Sequence, residues 1–135
     1  MSILILYLPS GTPASATEYS YTLTADGHTA TRHASAAAAL LPDPGRTGEV
    51  VAVVPVRALS WQRLTLPQGA DSSPARLRSV LEGLLEEQLL DDPAQLHFAL
   101  EPGAEAGTPV WVAVCDRVWL RDYLHALAGA GRTVS

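Results

Sequence analysis

The stretch from Trp61 to Leu100 constrains this chain more than any other, because it carries three consecutive elements with all of their punctuation. It reads WQRLTLP, a polar gap, SPARLRSVLEGLLEEQLL, DDPAQ and LHFAL, which is strand, cap, amphipathic helix, stop and strand. Ser73 is placed to cap the helix, and Pro74 follows at the first position, where an absent N–H would have been unpaired anyway. On a helical wheel at about 100° per residue, Leu77, Val80, Leu81, Leu84 and Leu85 share one arc, flanked by Arg78, Glu82 and Glu86. Gln88 falls inside that arc, so its amide is expected to lie buried between helix and sheet, hydrogen-bonded to backbone. Gly83 weakens the helix by about 1 kcal/mol relative to alanine, so either a close neighbour needs the space or the loss is tolerated. Asp91-Asp92-Pro93 ends the helix.

Before this stretch, Ser2 to Leu8 is apolar on both faces and predicts a central strand in a sheet covered on two sides. Glu18 to Leu23 and His28 to His33 predict a hairpin around Ala25-Asp26-Gly27. Ala34 to Leu41 has the alanine content of a short helix, about two turns long. Glu49 to Val56 is dominated by β-branched residues and predicts a strand forming a second hairpin with Trp61 to Leu66. After it, Pro109 to Cys115 predicts a strand buried on both faces. Arg117 to Ala130 predicts a helix with Trp119, Leu120, Tyr123, Leu124 and Leu127 on one side. The fold class is α/β or α+β, a mixed sheet carrying helices, with one core expected from 135 residues. Thr133 to Ser135 would begin a further strand, as a boundary inside a longer protein would give, or a loose natural terminus.

The net charge of −5 with only 17% charged residues disfavours nucleic acid, which needs a basic footprint. The longest apolar runs fall well short of the roughly 18 residues of a membrane span, so no part of this chain is expected to cross a bilayer. Cys115 is the only cysteine, which excludes an internal disulfide and fits a reducing compartment.

No HExxH, CxxC pair, P-loop or GxGxxG occurs. His28, His33, His97 and His125 are scattered; His97 meeting His28 or His33 across a sheet would still leave two ligands of the three or four that a metal site needs. Ser60, His97 and Asp116 are the components of a triad without a nucleophile elbow. Asp91 and Asp92, next to each other, read as a solvated helix end and not as an acid/base pair. No catalytic, cofactor-binding or metal-binding residue is expected. Trp61, Trp111 and Trp119 read as core, although Trp61 exposed beside Arg63 would instead suit a partner anchor.

The chain resembles the N-terminal cytoplasmic region of the type II secretion system protein L family. The features that carry this are Glu86-Glu87-Gln88-Leu89, the acidic pair Asp91 and Asp92, the LHFAL strand at 96–100 and the strand-to-helix step at Asp116-Arg117. The likeness covers about residues 49–131, and the early YLP strand extends it toward the N-terminus. It implies a ribonuclease-H-like subdomain of an actin-like fold, on the cytoplasmic face of the bacterial inner membrane, in a bitopic protein whose membrane helix and periplasmic domain lie beyond Ser135. It further implies a non-catalytic scaffold that recruits the secretion ATPase, the type II E protein, and meets the bitopic M protein through regions outside this chain; a homodimer is compatible with it. Actin-like ATPases carry an Asp-Gly phosphate element after the first strand, whereas Leu6 to Gly11 holds no carboxylate to organise magnesium, so no nucleotide hydrolysis is expected. The polar flank Arg78, Glu82 and Glu86 is the expected ATPase surface, with structural roles for Gln88, Trp61, Leu84 and Trp119. Alternatives are a small nucleotide-binding or hydrolytic α/β enzyme domain and a free-standing ligand-binding module.

Overall fold

The computed structural model describes residues 2–14 and 16–135. Its elements are β1 (Ile3–Tyr7), β2 (Glu18–Thr24), β3 (Ala30–Ala37), β4 (Glu49–Val53), β5 (Ser60–Thr65), α1 (Pro74–Leu85), β6 (Leu96–Leu100), β7 (Pro109–Asp116) and α2 (Arg117–Gly129). They form two compact units, Met1–Arg57 with Trp119–Ser135, and Ala58–Val118. Each has its own buried cluster, where the chain length suggested one core.

In the first unit the sheet order is β3-β2-β1-β4, antiparallel except for the parallel pair β1 and β4. The central position expected for β1 is found. Leu4, Leu6 and Leu8 are buried with Tyr19, Tyr21, Val50, Leu41, Tyr123 and Leu127. The opposite face is not covered as the two-sided pattern suggested: Ile3 and Ile5 are half-buried, and Tyr7 is 42% exposed, with Val51 and Val53 also exposed. The β2–β3 hairpin forms, and Asp26 builds its turn by accepting the N–H groups of His28 and Thr29, both at 2.7 Å. Those N–H bonds, Thr29 foremost, hold the Asp26 carboxyl below the ordinary carboxylate range.

The helix expected at Ala34 to Leu41 is instead the end of β3, followed by one 3₁₀ turn at Ala38–Leu40. The register explains it. Ala34 stands opposite Tyr21 and Ala36 opposite Tyr19, so small residues leave room for large partners while the ladder satisfies the backbone. Two turns of alanine helix cannot match that without packing.

Helix α2, from Trp119 onward, lies on this core. The Tyr123 hydroxyl (2.6 Å) and the Trp119 indole N–H (3.0 Å) both donate to the Gly11 carbonyl. Tyr123 also meets Tyr19 edge-on, with ring centroids 6.1 Å apart. Beyond the helix, the Ser135 N–H donates to the Val50 carbonyl at 2.9 Å, on β4.

The second unit holds an antiparallel sheet of order β5-β7-β6 with α1 packed on one face. The hairpin expected between the fourth and fifth strands is absent: β4 pairs with β1 and β5 with β7. Val110, Val112 and Val114 of β7 point into the core with Leu66, Leu81, Leu85 and Leu96. On the other face Trp111 is 41% exposed and Ala113 half-buried, while Cys115 at the strand's end is buried, so that face of β7 is covered only in part.

Ser73 caps α1 by accepting the Arg76 N–H at 3.1 Å, with Pro74 following as expected. The helix stops at Leu85, earlier than the apolar pattern indicated. The N–H groups of Gln88 and Leu89 both donate to the Leu85 carbonyl, at 3.0 and 3.1 Å, and this turn brings Leu89 to the core in place of Gln88. Gln88 is therefore exposed and is not the buried tie between helix and sheet that its position predicts. Leu84 sits at the edge of the apolar arc and is 40% exposed, a weaker structural contributor than Leu81 and Leu85. Gly83 has no neighbour within 4 Å of a built Cβ, so the glycine is tolerated and no close approach requires it.

Candidate interaction surface

The residues that might have done chemistry are kept apart by the topology. His33 is on β3, bonded to the Thr22 hydroxyl at 3.0 Å, whereas His97 is on β6 of the other sheet. Ser60 stands opposite Val114, on the helix-facing side of its sheet, and His97 stands opposite Cys115 on the far side. That alternation separates the components of the triad. Among the described residues, no three of His, Cys, Asp and Glu gather for a metal ion. Burial, and then the neighbouring Asp116 carboxylate, push the Cys115 thiol up, away from the thiolate that a nucleophile needs.

The flank of α1 has a structural job. Arg78 donates through Nη2 to the carbonyls of Leu96 (2.8 Å) and Pro93 (3.2 Å), pairs through Nε with Glu82 (3.0 Å) and lies over the Phe98 ring. It fastens the helix to the start of β6, so it is not a free charge awaiting a partner. Glu82 is half-buried against it, and Glu86 is the member of the trio that faces solvent openly.

The open face of the second sheet is different in kind. Successive strand residues alternate sides, and the register lines up Arg63, Trp111 and Glu101 in one row and Trp61, Ala113 and Ala99 in the next. Two tryptophans therefore stand beside two alanines. The result is a depression of ≈ 780 Å³ with an alanine floor and walls of Trp61, Trp111 and Pro102. Trp61 is 54% exposed, which settles its role as surface residue and not core. The Arg63 guanidinium covers Trp111 at 5.2 Å from the ring centroid, and Glu101 accepts the Trp111 N–H at 3.1 Å. Trp119, by contrast, is a packed structural residue against the first core.

Sequence reasoning missed this groove, although half of its signal is visible. VWVAVC alternates valines with Trp111, Ala113 and Cys115, and WQRLT alternates Trp61 and Arg63 with Gln62 and Leu64. Which tryptophan falls beside which alanine depends on the pairing register, which no single strand encodes.

The family model described as type II secretion system (T2SS), protein L, matches residues 6–135. The type II secretion system protein L of Pseudomonas aeruginosa is 39% identical over 80 residues, spanning 58% of this chain and 20% of that protein. Among solved structures, the cytoplasmic domain of EpsL, an inner membrane component of the type II secretion system of Vibrio cholerae, matches with a TM-score of 0.75 and 21% identity. That match covers 100% of this chain and 56% of the EpsL chain. A chain of the PilM–PilN type IV pilus biogenesis complex matches over 98% of this chain and 45% of its own, with a TM-score of 0.57 and 18% identity. At such identities these two structures speak to the fold, a mixed α/β arrangement of sheets and helices. With the family model matching almost end to end, the chain belongs to the type II secretion system protein L family.

Proposed function

We propose that this chain is the first part of the cytoplasmic region of a protein L, a non-catalytic member of the inner-membrane platform that recruits the secretion ATPase. The observation carrying this reading is the family match across residues 6–135. The chain spans only 20% of the curated relative and 56% of the solved domain; in this reading a membrane helix and contacts with the bitopic M protein are assigned to segments outside it. A ribonuclease-H-like subdomain of an actin-like fold is the finer reading of the first unit. Its order β3-β2-β1-β4, with three antiparallel strands and one parallel addition, supports that reading, as does the likeness to the PilM–PilN structure.

The absence of any carboxylate between Leu6 and Gly11 supports a scaffold over a nucleotide hydrolase, since magnesium-bound phosphates need hard oxygen ligands after the first strand. A docking surface that includes the α1 flank would use Glu82 and Glu86, with Arg78 holding the flank in shape. A homodimer of the protein is part of the same reading.

The test is calorimetric titration of the purified chain with the secretion ATPase of the same bacterium, and separately with magnesium-ATP. Binding of the ATPase and no heat from the nucleotide are expected. No ATPase binding, or saturable nucleotide binding, would retire the reading. The Glu82→Lys/Glu86→Lys double variant loses the Arg78 pair and with it some stability; assayed below its melting transition it is expected to weaken the ATPase complex, and unchanged affinity would move docking off that flank.

A further inference from the structure

The outer strands of the two sheets are not alike. A sheet edge presents unpaired N–H and C=O groups that can template pairing with another chain, and folded proteins ordinarily blunt it. Val50 on the outer strand β4 is taken up by Ser135, whose N–H donates to its carbonyl at 2.9 Å and whose hydroxyl accepts its N–H at 3.3 Å. β3 is broken by a bulge, its register against β2 passing from Arg32 to Ala30 and skipping Thr31. On β6 the Arg78 guanidinium occupies the Leu96 carbonyl at 2.8 Å. β5 has none of these devices. It is an outer strand of the order β5-β7-β6, its register against β7 is unbroken from Ser60 to Thr65, and it contains neither proline nor lysine.

The alternation of bonds along β7 fixes which groups of β5 are free. The Glu101 N–H donates to the Trp111 carbonyl, so Trp111 and Ala113 turn their main chain toward β6, and Val110, Val112 and Val114 turn theirs toward β5. Gln62 and Leu64, opposite Val112 and Val110, are therefore bonded to β7, and the N–H and C=O groups of Trp61, Arg63 and Thr65 point out of the sheet edge. Among the described residues nothing bonds them there, and all three residues are exposed.

We propose that this bare edge pairs antiparallel with β5 of a second copy of the chain, about a two-fold axis at Gln62, joining the two sheets into one.

Self-complementarity selects both the second copy and the register. Centring on Gln62 sets Trp61 opposite Arg63 of the second copy and, by symmetry, Arg63 opposite its Trp61. These are the residues with free main-chain groups, so each pair exchanges two N–H···O=C bonds. The open faces then run Glu101, Trp111 and Arg63 in one copy, continued by Trp61, Ala113 and Ala99 in the other, so that a tryptophan ring meets the aliphatic stem of an arginine. Each Arg63 guanidinium is drawn over its own Trp111, 5.2 Å from the ring centroid and away from the edge, so no charge blocks the approach. Other centres fit less well. Arg63 would place two arginines opposite each other, Trp61 would leave Arg63 against Leu59 outside the strand, and Leu64 would bring Trp61 against Pro67, which has no N–H to give. One strand is small beside the roughly 20–30 residues a side of a standard interface, so the dimer is weak and concentration-dependent.

Sedimentation velocity of the chain from micromolar to millimolar concentration reads the dimer, and three variants read its register. Gln62→Cys puts a thiol on the axis, in a non-hydrogen-bonded pair with Cα atoms about 4.5 Å apart, within reach of a disulfide. Mild oxidation is expected to trap a covalent dimer, and to leave Glu86→Cys, exposed beyond the end of α1, untrapped. Trp61→Ala is expected to weaken the dimer about tenfold or more with the melt of the dilute monomer unchanged. Arg63→Pro removes an N–H that the monomer does not use, and is expected to abolish the dimer while the monomer keeps a cooperative melt. A chain that stays monomeric at millimolar concentration overturns the proposal, as does a dimer that Trp61→Ala leaves undiminished or that Gln62→Cys does not trap. A monomeric chain whose complex with the secretion ATPase is lost on Arg63→Pro gives the edge to a partner's strand instead. The inference rests on the homodimer in the reading above, and the outcomes keep the two apart. A dimer indifferent to all three variants retires the edge alone, whereas a monomeric wild-type chain retires the homodimer with it; the ATPase titration decides the scaffold reading independently of either.

Discussion

The two units solve the same packing problem by different means. Each lays one helix over one face of a sheet and leaves the other face open. The first anchors its helix with aromatic bulk, placing Tyr123 against Tyr19 and converging two donors on the Gly11 carbonyl. The second anchors its helix with a guanidinium, spreading Arg78 over the carbonyls that lead into β6. Their open faces differ as well: aliphatic side chains and Tyr7 along β1 and β4 in the first, tryptophan and alanine with Arg63 and Glu101 at the margin in the second. Similar layers can thus rest on burial or on charge-assisted bonds, and the two should fail differently when perturbed.

The largest effects are expected at the two cores. Tyr123 and Leu85 are both fully buried, and truncation to alanine loses transfer energy and leaves a cavity, so Tyr123→Ala should cost about 3–5 kcal/mol and Leu85→Ala about 2–5 kcal/mol. Denaturant titration gives the totals, and hydrogen exchange gives their location. Leu85→Ala is expected to accelerate exchange in β5, β6 and β7 more than in β1 and β2. Equal acceleration in both sheets would make the two clusters one cooperative core and break the comparison.

A middle-sized effect should separate the anchored arginine from an ordinary one. Arg78→Ala removes two bonds to carbonyls, the Glu82 pair and the ring contact, and is expected to cost about 1–3 kcal/mol. Lysine should not restore it, because one ammonium cannot bond the carbonyls, pair with Glu82 through a separate nitrogen and lie flat over Phe98 at once. Arg121→Ala breaks only an exposed 3.6 Å pair with Asp122, and should change stability by less than about 0.5 kcal/mol. Equal losses for the two in the same denaturant titrations would show that the carbonyl fastening contributes nothing.

How much of this the sequence disclosed depends on which interactions are local. The Ser73-Pro74 start and the turn at Asp26 and Gly27 are local chemistry, and both were legible. The alanines of β3 were misread because their partners, Tyr19 and Tyr21, lie on a neighbouring strand. Gln88 was misplaced because the chain leaves the helix after Leu85 to deliver Leu89 to the core, an exchange that helical periodicity cannot foresee. Apolar residues on both faces of β1 and β7 signalled central strands correctly, but the covering of both faces does not follow from that pattern. Of the candidate surfaces, the charged flank was readable along one helix, while the groove required the register of three strands.

The smallest expected effects compare two glycines, one in each unit, that both have room for a methyl group. Gly83 in α1 has a helical backbone and open space around it, so Gly83→Ala reduces the freedom of the unfolded chain and should stabilise by about 0.5–1 kcal/mol. Gly27 in the β2–β3 turn has a φ of 80°, and the nearest atom to a built Cβ is Ile3 Cδ1 at an ordinary 3.7 Å. Gly27→Ala should therefore destabilise by about 1–2 kcal/mol through the left-handed backbone alone. Since space limits neither site, opposite signs in paired thermal melts would isolate conformation as the cause. A destabilised Gly83→Ala variant would mean that the exposed side of α1 is covered in solution by something that the bare methyl displaces.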